Sequence, residues 1–417
     1  MTDLDTAPAV STAPEPRPAA QALAEWALAL RPSAEDQALA DRALLDTVAV
    51  GIVAREHHIL RVGASLTEAA RWAAACHVID FDDLHMPSTG HLSAVCVPVA
   101  LATGGGAAAY LAGAGVMARV GSALGWRHYS SGWHATTTSG ALGAAVTAAV
   151  ALGLDADRTA RAIALAVPAA GGVQRAFGTD AKALQIGFAA EAGIRAATLA
   201  AAGATADLSA VDTWLRLVGG DPEALDLDGP AVPGGLAIKM YPACYALQRP
   251  ISAVTVALGD APDHGWNPAT VRRVVVRTPP ATVQPLIHHR PEDGLQGKFS
   301  LEYAVATALL DEQQGFEAFS DEAVRRPEAQ RLLRLVEVAL EGPGDSLLSG
   351  QVDIEVHTDN GVLTATLQHP PGSPHRPPTE EELAHKVSTC LAGTDVDASA
   401  LTWEDGAALL RRTLTGP

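Results

Sequence analysis

One histidine lies among hydroxyl side chains in the stretch 132–140, which reads Gly-Trp-His-Ala-Thr-Thr-Thr-Ser-Gly. A run of small residues follows it as far as Gly153 and is typical of a helix. Free backbone N–H groups and short polar side chains gather at helix starts, where an acid or base can work beside them. His134 is therefore a candidate acid or base. The alternative is a hydrogen-bonded histidine of the core.

A second candidate is the polar segment 80–91, which separates two apolar segments and contains three aspartates and two histidines. These residues are Asp80, Asp82, Asp83, His85 and His91. The set suits acid/base catalysis, a divalent metal or a solvated cap of the next helix. Metal binding needs three or four converging ligands, and the spacing matches none of the familiar metal-site patterns. We therefore predict no metal.

Two lysines stand next to predicted helix starts or turns. Lys182 follows Gly178 to Asp180 just before a helical run, where a cation is unfavourable unless it faces an anion. Lys239 opens the segment Lys-Met-Tyr-Pro-Ala-Cys, which ends at Cys244. A site for a di- or tricarboxylate needs such cations, although most lysines are simply exposed. Cys244 has no adjacent histidine and fits a buried inert thiol better than a nucleophile.

The overall composition restricts the partners. The chain has 417 residues, enough for two domains, with 29 Lys plus Arg against 47 Asp plus Glu and a formal charge of -18. This charge disfavours nucleic acid and anionic membranes, so an acid-binding site must be a local basic island. Four cysteines without a Cys-x-x-Cys pair argue against a zinc site or a disulfide scaffold, and we expect a reducing cytoplasm.

The uncharged segment from Leu92 to Ala118 is long enough to cross a membrane. It is interrupted by Pro98 and by three consecutive glycines at 104–106, and many of its residues are alanines. Two buried helices therefore explain it better, and we predict no membrane association.

Helix signals dominate the first half of the chain. Ser33 and Asp36 have the spacing of a capping box before a helix that runs to Val53. Further helices are predicted at 66–78, 140–152, 156–166 and 188–201.

Strand signals begin only beyond about Gly219. They occur at 271–278 and 352–357, and the second is followed by Asn360-Gly361, a strong hairpin signal. Helices are predicted between the strands at 250–258 and 301–310. After Thr379 and Glu382, which form a second capping-box pattern, two more are predicted, to about 391 and at 403–414.

We therefore predict a mainly α protein. A large all-helical domain is built from the N-terminal half and the C-terminal end, and a smaller α/β domain is inserted in it. The predicted boundaries are 1–19 for a disordered tail, 20–235 and 379–417 for the helical domain, and 236–378 for the α/β domain.

Six motifs in order give the chain a resemblance to a known family, MmgE/PrpD. Their positions are 80–83 through His91 (Asp-Phe-Asp-Asp), 132–136 (Gly-Trp-His-Ala-Thr), 180–182 (Asp-Ala-Lys), 239–244, 298–304 (Lys-Phe-Ser-Leu-Glu-Tyr-Ala) and 378–383 (Pro-Thr-Glu-Glu-Glu-Leu). The resemblance implies the same two-domain fold, a homodimer, an active site between the domains and no metal or organic cofactor.

The resemblance also implies the site residues. Carried over position by position, the catalytic set is Asp80, His91, His134, Lys182, Lys239 and Tyr303. The predicted substrate-binding set is Lys182, Lys239, Thr136, Gln185 and Cys244. The sequence departs from the family pattern at Leu84, where many members have Thr, and at Gln185 and Gln248, where His is common.

The implied activity is that of a cofactor-independent lyase acting on a citrate-like di- or tricarboxylic acid by proton abstraction next to a carboxylate. His134 is the expected principal acid/base, with His91 as its partner, and the two lysines stabilise charge on the carboxylate. A dehydratase is favoured. The alternatives are a decarboxylase of a cis-aconitate-like acid, an epimerase of an amino or imino dicarboxylate, and an inactive homologue that serves as a binding protein.

Overall fold

The computed structural model describes residues 17–259, 266–311 and 314–414. Between residues 17 and 220 the structure has ten α-helices: α1 (Ala19–Ala29), α2 (Ala34–Val53), α3 (Ile59–Val62), α4 (Glu68–Val78), α5 (Leu92–Thr103), α6 (Gly106–Ser130), α7 (Ala135–Ala151), α8 (Ala156–Ala166), α9 (Asp180–Ala201) and α10 (Ala210–Leu217). Of the predicted tail, residues 1–16 lie outside the described part, and α1 already begins at Ala19.

Small residues let these helices pack closely around α7, which lies against α5, α6, α8 and α9. At the contact of α7 with α9, a Cβ added to Gly193 would lie 2.3 Å from the Cβ of Ala144. A larger residue therefore has no room there. The apolar side chains of α1 to α10 form the larger hydrophobic core.

A second core surrounds a four-stranded sheet with the strand order β2-β1-β3-β4. The strands are β1 (Val271–Thr278), β2 (Val336–Leu340), β3 (Val352–Thr358) and β4 (Gly361–Leu367). β1 is parallel to β2 and antiparallel to β3, and β3 and β4 form a hairpin. The helices of this part are α11 (Tyr245–Gly259), α12 (Gly294–Gly297), α13 (Leu301–Leu310), α14 (Asp321–Arg325) and α15 (Pro327–Leu332).

The C-terminal end returns to the helical core. The helices α16 (Glu380–Leu391) and α17 (Gly406–Thr413) both pack against α2, and α17 also contacts α5. The predicted class, mainly α with a small α/β part, is confirmed. The residues at which the two domains were predicted to divide stay a prediction.

Both predicted capping boxes are present, at Ser33 with Asp36 and at Thr379 with Glu382. The strand 271–278 and the helix 301–310 have the predicted bounds. Two helices begin earlier than predicted, α7 at Ala135 and α9 at Asp180. These earlier starts place His134 directly at the beginning of α7 and move Lys182 into the first turn of α9.

The predicted pair of buried helices is confirmed, because α5 and α6 are separated at Gly104, whose φ is 70°. By length and composition α6 could cross a membrane, but 83% of its apolar window is buried among other helices. Arg119 within α6 is also buried and donates hydrogen bonds to the carbonyls of Asp228, Pro230 and Ala231. These are the properties of a core helix.

Candidate active site

Three helix starts meet at one place in the structure. His91 is the residue directly before α5, His134 holds the same position before α7, and Lys182 lies in the first turn of α9. The backbone N–H of His91 donates to Thr136 Oγ1 at 3.1 Å, which ties the start of α5 to that of α7. Helix starts carry partial positive charge, so this arrangement favours an anion.

Asp80 is the anion that the protein itself supplies there. Its φ is 57°, an uncommon value for a residue other than glycine. Lys239 Nζ lies 2.5 Å from Asp80 Oδ1 and 2.9 Å from the Asp80 carbonyl oxygen, and Lys182 Nζ lies 3.3 Å from the same Oδ1. Burial raises the pKa of Asp80, but the two lysines outweigh burial and hold that pKa below its usual range. Asp80 is therefore ionised.

Asp82, two residues further on, faces two histidines. Its Oδ2 lies 2.7 Å from His77 Nδ1 and 3.0 Å from His91 Nδ1, the second contact being off the line of a hydrogen bond. On its other edge, His77 Nε2 lies 2.5 Å from Lys182 Nζ. A continuous polar chain therefore runs from His91 through Asp82 and His77 to Lys182.

The histidines of this site are neutral at neutral pH. Burial lowers the pKa of His77 to about 3 although Asp82 opposes it, and burial also lowers the pKa of His91. For His134, burial and the nearby His77 and Lys182 hold the pKa well below 6.5. Burial disfavours the charged imidazolium form, which is the physical cause in all three.

These residues surround a small cavity between the two hydrophobic cores. Its volume is about 20 Å³, and because one water needs about 10–15 Å³, it has room for only one or two waters. The lining residues are Asp80, Leu84, Thr89, His91, Tyr129, His134, Thr136, Phe177, Lys182, Cys244, Tyr245, Phe299 and Leu347. Lys239 is fully buried behind Asp80 and does not line the cavity.

Six of the predicted site residues thus line one cavity, and Lys239 contacts one of them. Two others lie elsewhere. The Tyr303 hydroxyl donates to the carbonyl of Ala318 at 2.5 Å, and the Gln185 side chain accepts the N–H of Val173 at 2.7 Å. Both hold backbone segments and neither lines the cavity. Cys244 does line it, and burial raises the pKa of its thiol to about 12, so the thiol is protonated.

The polar segment 80–91 divides into two parts. Asp83 accepts the hydroxyl of Ser93, and His85 contacts Ser88 Oγ at 2.8 Å and the carbonyl of Pro233 at 2.6 Å. These two residues fix the backbone between Asp82 and α5. Asp80, Asp82 and His91 instead contact the lysines and the histidine at the cavity.

The loop 239–244 is held by two polar side chains. Gln248 accepts the N–H groups of Met240 and Tyr241 at 2.9 and 3.0 Å and donates to the Tyr241 carbonyl at 2.9 Å. Lys298 Nζ donates to the carbonyl of Pro242 at 2.5 Å. Gln248, which departs from the family pattern, therefore shapes the loop that carries Lys239.

All lysines of the chain are buried. The sequence contains four, Lys182, Lys239, Lys298 and Lys386, and their exposed fractions are 6%, 0%, 5% and 3%. The alternative that Lys182 and Lys239 are surface residues is therefore wrong. The surface cations of this protein are arginines.

Sequence reasoning missed the role of His77. It lies in α4 among alanines and valine, a pattern that reads as apolar core. The available signal was an ionisable residue three positions before Asp80 on an otherwise apolar helix end. Asp82 was noticed in its segment, but its contact with two histidines requires the fold.

One group in the described part of the chain has the geometry to hold a metal ion: His77, Asp82 and His91, whose ligand atoms lie within 4.8 Å of one another. His77 Nδ1 and Asp82 already form a hydrogen bond of 2.7 Å, and Lys182 contacts the other nitrogen of His77. Hydrogen bonds and ion pairing thus account for this arrangement of side chains.

The chain is similar to several cis-aconitate decarboxylases. Cis-aconitate decarboxylase of Aspergillus terreus is 28% identical over 308 residues, which cover 67% of this chain and 62% of that protein. The cis-aconitate decarboxylases of Mus musculus and Homo sapiens are each 28% identical, over 306 and 312 residues, covering 65% and 66% of this chain and 60% and 61% of theirs. The chain thus spans about three fifths of the length of the curated relatives that it matches.

Two family profiles match successive parts of the chain. The MmgE/PrpD N-terminal domain matches residues 63–214, and the MmgE/PrpD C-terminal domain matches residues 241–404. The first contains His77 to Lys182, and the second contains Cys244 and the sheet. Because the two profiles follow in this order and together span most of the sequence, the protein belongs to the MmgE/PrpD family.

Proposed function

We propose that this protein is a cofactor-independent lyase that releases carbon dioxide from a cis-aconitate-like tricarboxylate. The observation that carries the proposal is the cavity itself, where two neutral histidines, a buried lysine and three helix starts meet. The decarboxylase relatives support this reaction over the dehydration that the sequence alone favoured.

In this proposal the substrate carboxylates bind where positive charge is concentrated. Lys182 lines the cavity, and its contacts to His77 at 2.5 Å and Asp80 at 3.3 Å use two of its three N–H groups, so the third can donate to a carboxylate. The starts of α5 and α7 add backbone N–H groups. Lys239 stays on Asp80 and keeps that carboxylate ionised and in place.

The reaction breaks the bond between a methylene carbon and its carboxylate. The electron pair of that bond forms a new double bond to the methylene carbon, the old double bond shifts, and the carbon beside a second carboxylate takes a proton. His134 or His91 supplies this proton after gaining it when the anion binds, since negative charge raises the pKa of a neighbouring imidazole.

A second candidate is dehydration of a citrate-like acid, which starts with removal of a proton beside a carboxylate. The neutral state of His91 and His134 favours it, because a neutral imidazole is ready to act as a base. Epimerisation of an amino or imino dicarboxylate would start in the same way.

A panel of di- and tricarboxylates in deuterated water, followed by NMR, tests the proposal. Loss of carbon dioxide with one deuterium in the product supports the decarboxylase. Exchange with loss of water indicates the dehydratase, and exchange alone indicates an epimerase. The inactive binding protein is favoured if no acid reacts while a tricarboxylate still binds in calorimetry, both to the wild type and to His134→Ala.

We also propose, from the family resemblance, a cytoplasmic homodimer that needs no cofactor. The apolar side chains of Phe188 and Leu199 on α9 are 53% and 46% exposed and offer surface for a second copy. Sedimentation of the purified protein at micromolar concentration should give a dimer, and Leu199→Asp should weaken it. A chelator should leave turnover unchanged, and its loss on chelation would contradict the cofactor-free reaction.

A further inference from the structure

Asp82 is the only fully buried carboxylate in the described part of the chain that faces two imidazole rings. Its Oδ2 is near Nδ1 of both, at 2.7 Å for His77 and 3.0 Å for His91. The carboxylate is ionised and can only accept hydrogen bonds. His77 Nδ1 therefore carries the proton of its hydrogen bond to Asp82, and a proton on His91 Nδ1 is favoured because a bare nitrogen 3.0 Å from an anionic oxygen would be repelled by it.

The proton on Nδ1 determines the protonation state of the other ring nitrogen, Nε2. A neutral histidine with a protonated Nδ1 has a bare Nε2, which accepts hydrogen bonds and protons. In His77 that bare nitrogen meets Lys182 Nζ at 2.5 Å, so lysine must be the donor. In His91, Nδ1 is buried while the side chain keeps 11% exposure, so the edge that carries Nε2 faces the cavity.

We propose that Asp82 and His77 are positioning residues of this site. Asp82 holds His91 in the tautomer that presents a basic Nε2 to the substrate. Asp82 also orients His77, and His77 in turn holds the amine of Lys182 beside Asp80. One buried carboxylate thereby sets both the proton-transfer group and the anion-binding group. This inference rests on the proposed function for its kinetic consequences only.

The contacts of Lys182 agree with a fixed orientation of its amine. Its Nζ lies 5.3 Å and 5.7 Å from the ring centres of Phe299 and Phe177, which are both cavity residues. With His77 and Asp80 as its polar partners, the amine is held on two sides, which leaves its third N–H for a ligand. Losing His77 would leave the amine free to turn toward Asp80 alone.

The direct test is nitrogen NMR of the protein with 15N-labelled histidine, which distinguishes a protonated from a bare ring nitrogen and needs no turnover. In the wild type, His77 and His91 are both expected with the proton on Nδ1. In Asp82→Asn, His91 is expected to become a mixture of tautomers. A bare Nδ1 in either wild-type ring, or an unchanged His91 in Asp82→Asn, would overturn the proposal.

Asp83→Asn is the matched control, because Asp83 is the next residue, is equally buried and contacts Ser93 instead of a histidine. The side-chain oxygen of Asn can still accept the hydroxyl of Ser93, so this variant should leave the His91 tautomer unchanged. If Asp82→Asn fails to fold, the wild-type spectrum still decides, since it measures both tautomers directly.

Two substitutions of His77 separate its two contacts. His77→Asn can still donate to Asp82 but cannot reach Lys182, and His77→Gln can still accept from Lys182. We expect His77→Asn to weaken tricarboxylate binding by about 10- to 100-fold, the loss of one charged hydrogen bond, and His77→Gln to weaken it by less than about threefold. Equal losses in both variants would show that His77 does not act through Lys182.

Turnover then links this inference to the proposed reaction. Asp82→Asn should lower kcat by about 100- to 10,000-fold, as expected when a catalytic histidine is held in the wrong tautomer, with a much smaller change in KM. If the wild type turns over no acid, the proposed function fails, whereas the tautomer and binding results still stand or fall by themselves.

Discussion

Two buried aspartate–lysine contacts lie close to Phe81 and differ in their surroundings. Asp80 contacts Lys239 at 2.5 Å, and Asp46 contacts Lys386 at 2.6 Å, with all four side chains at most 3% exposed. Lys386 also donates to the carbonyl of Phe81 at 2.8 Å and lies 4.1 Å from the centre of its ring. By distance and burial alone the two contacts are alike.

The two contacts differ in the number of lysines that each aspartate meets. Asp46 pairs with one lysine, which completes its contacts on Phe81 and joins α16 to α2. Asp80 contacts two lysines through one oxygen, and the second, Lys182, lines a cavity with neutral histidines. A one-to-one pair stabilises the fold, whereas a carboxylate shared by two cations leaves one of them partly available to a ligand. The following predictions test this contrast.

The largest expected effect is on catalysis at the cavity. His134→Gln should lower kcat by about 100- to 10,000-fold, the usual contribution of a positioned acid or base, while thermal unfolding changes little. His128→Gln is the control, because His128 is a buried histidine that contacts the carbonyl of Val218 and Thr138 Oγ1 outside the cavity. Equal losses of kcat in the two variants would contradict the assignment.

The closed pair should show its effect in stability. Lys386→Met leaves Asp46 buried without its cation and should lower the free energy of unfolding by about 3–5 kcal/mol in urea titrations. The double variant Asp46→Asn with Lys386→Met should recover much of the loss, because no unpaired charge remains. If Lys386→Met were as stable as the wild type, the Asp46–Lys386 pair would not stabilise the fold, and the contrast with Asp80 would fail.

Lys182→Met should mainly weaken binding. The loss of a charged hydrogen bond predicts a rise of about 10- to 100-fold in the dissociation constant of a tricarboxylate, measured by calorimetry. Stability should change less than in Lys386→Met, since Asp80 keeps Lys239 as its partner. A dissociation constant equal to that of the wild type would mean that the ligand avoids Lys182.

The smallest expected effect is the uptake of protons when the ligand binds. Because burial keeps His91 and His134 neutral, binding of a polyanion near neutral pH should take up about one proton or more. Affinity should then fall as pH rises, by about tenfold per pH unit for each proton taken up. Calorimetry in buffers of different ionisation enthalpy measures this uptake, and His91→Gln should reduce it. Release of protons would contradict the predicted charge states.

The sequence predicted the elements that are specified locally. A capping box needs only a hydroxyl and a carboxylate three residues apart, as at Ser33 and Asp36, and the β-branched run 271–278 has little alternative to a strand. β2 was missed because Val336–Leu340 directly follows helical residues and continues their apolar pattern. Its strand form depends on pairing with β1, a contact between distant parts of the chain.

The candidate site was predictable as a set of residue types but not as a geometry. Motif order brought out His91, His134 and Lys182, which the fold then gathers around one cavity. Tyr303 was predicted through one of the same motifs, and Gln185 as the position where the family pattern commonly has His, although their contacts are with backbone. Adjacency in sequence cannot distinguish a side chain that faces the cavity from one that supports its wall.

The burial of all four lysines makes it possible to measure the opening of the cavity by amine labelling. Reagents that modify amines find no lysine on its surface, and a tricarboxylate finds no room in a cavity of about 20 Å³. Entry of a tricarboxylate and labelling of Lys182 therefore both require this cavity to open wider. The rate at which Lys182 becomes labelled therefore measures how often the cavity opens, and a ligand that keeps the cavity closed should lower this rate.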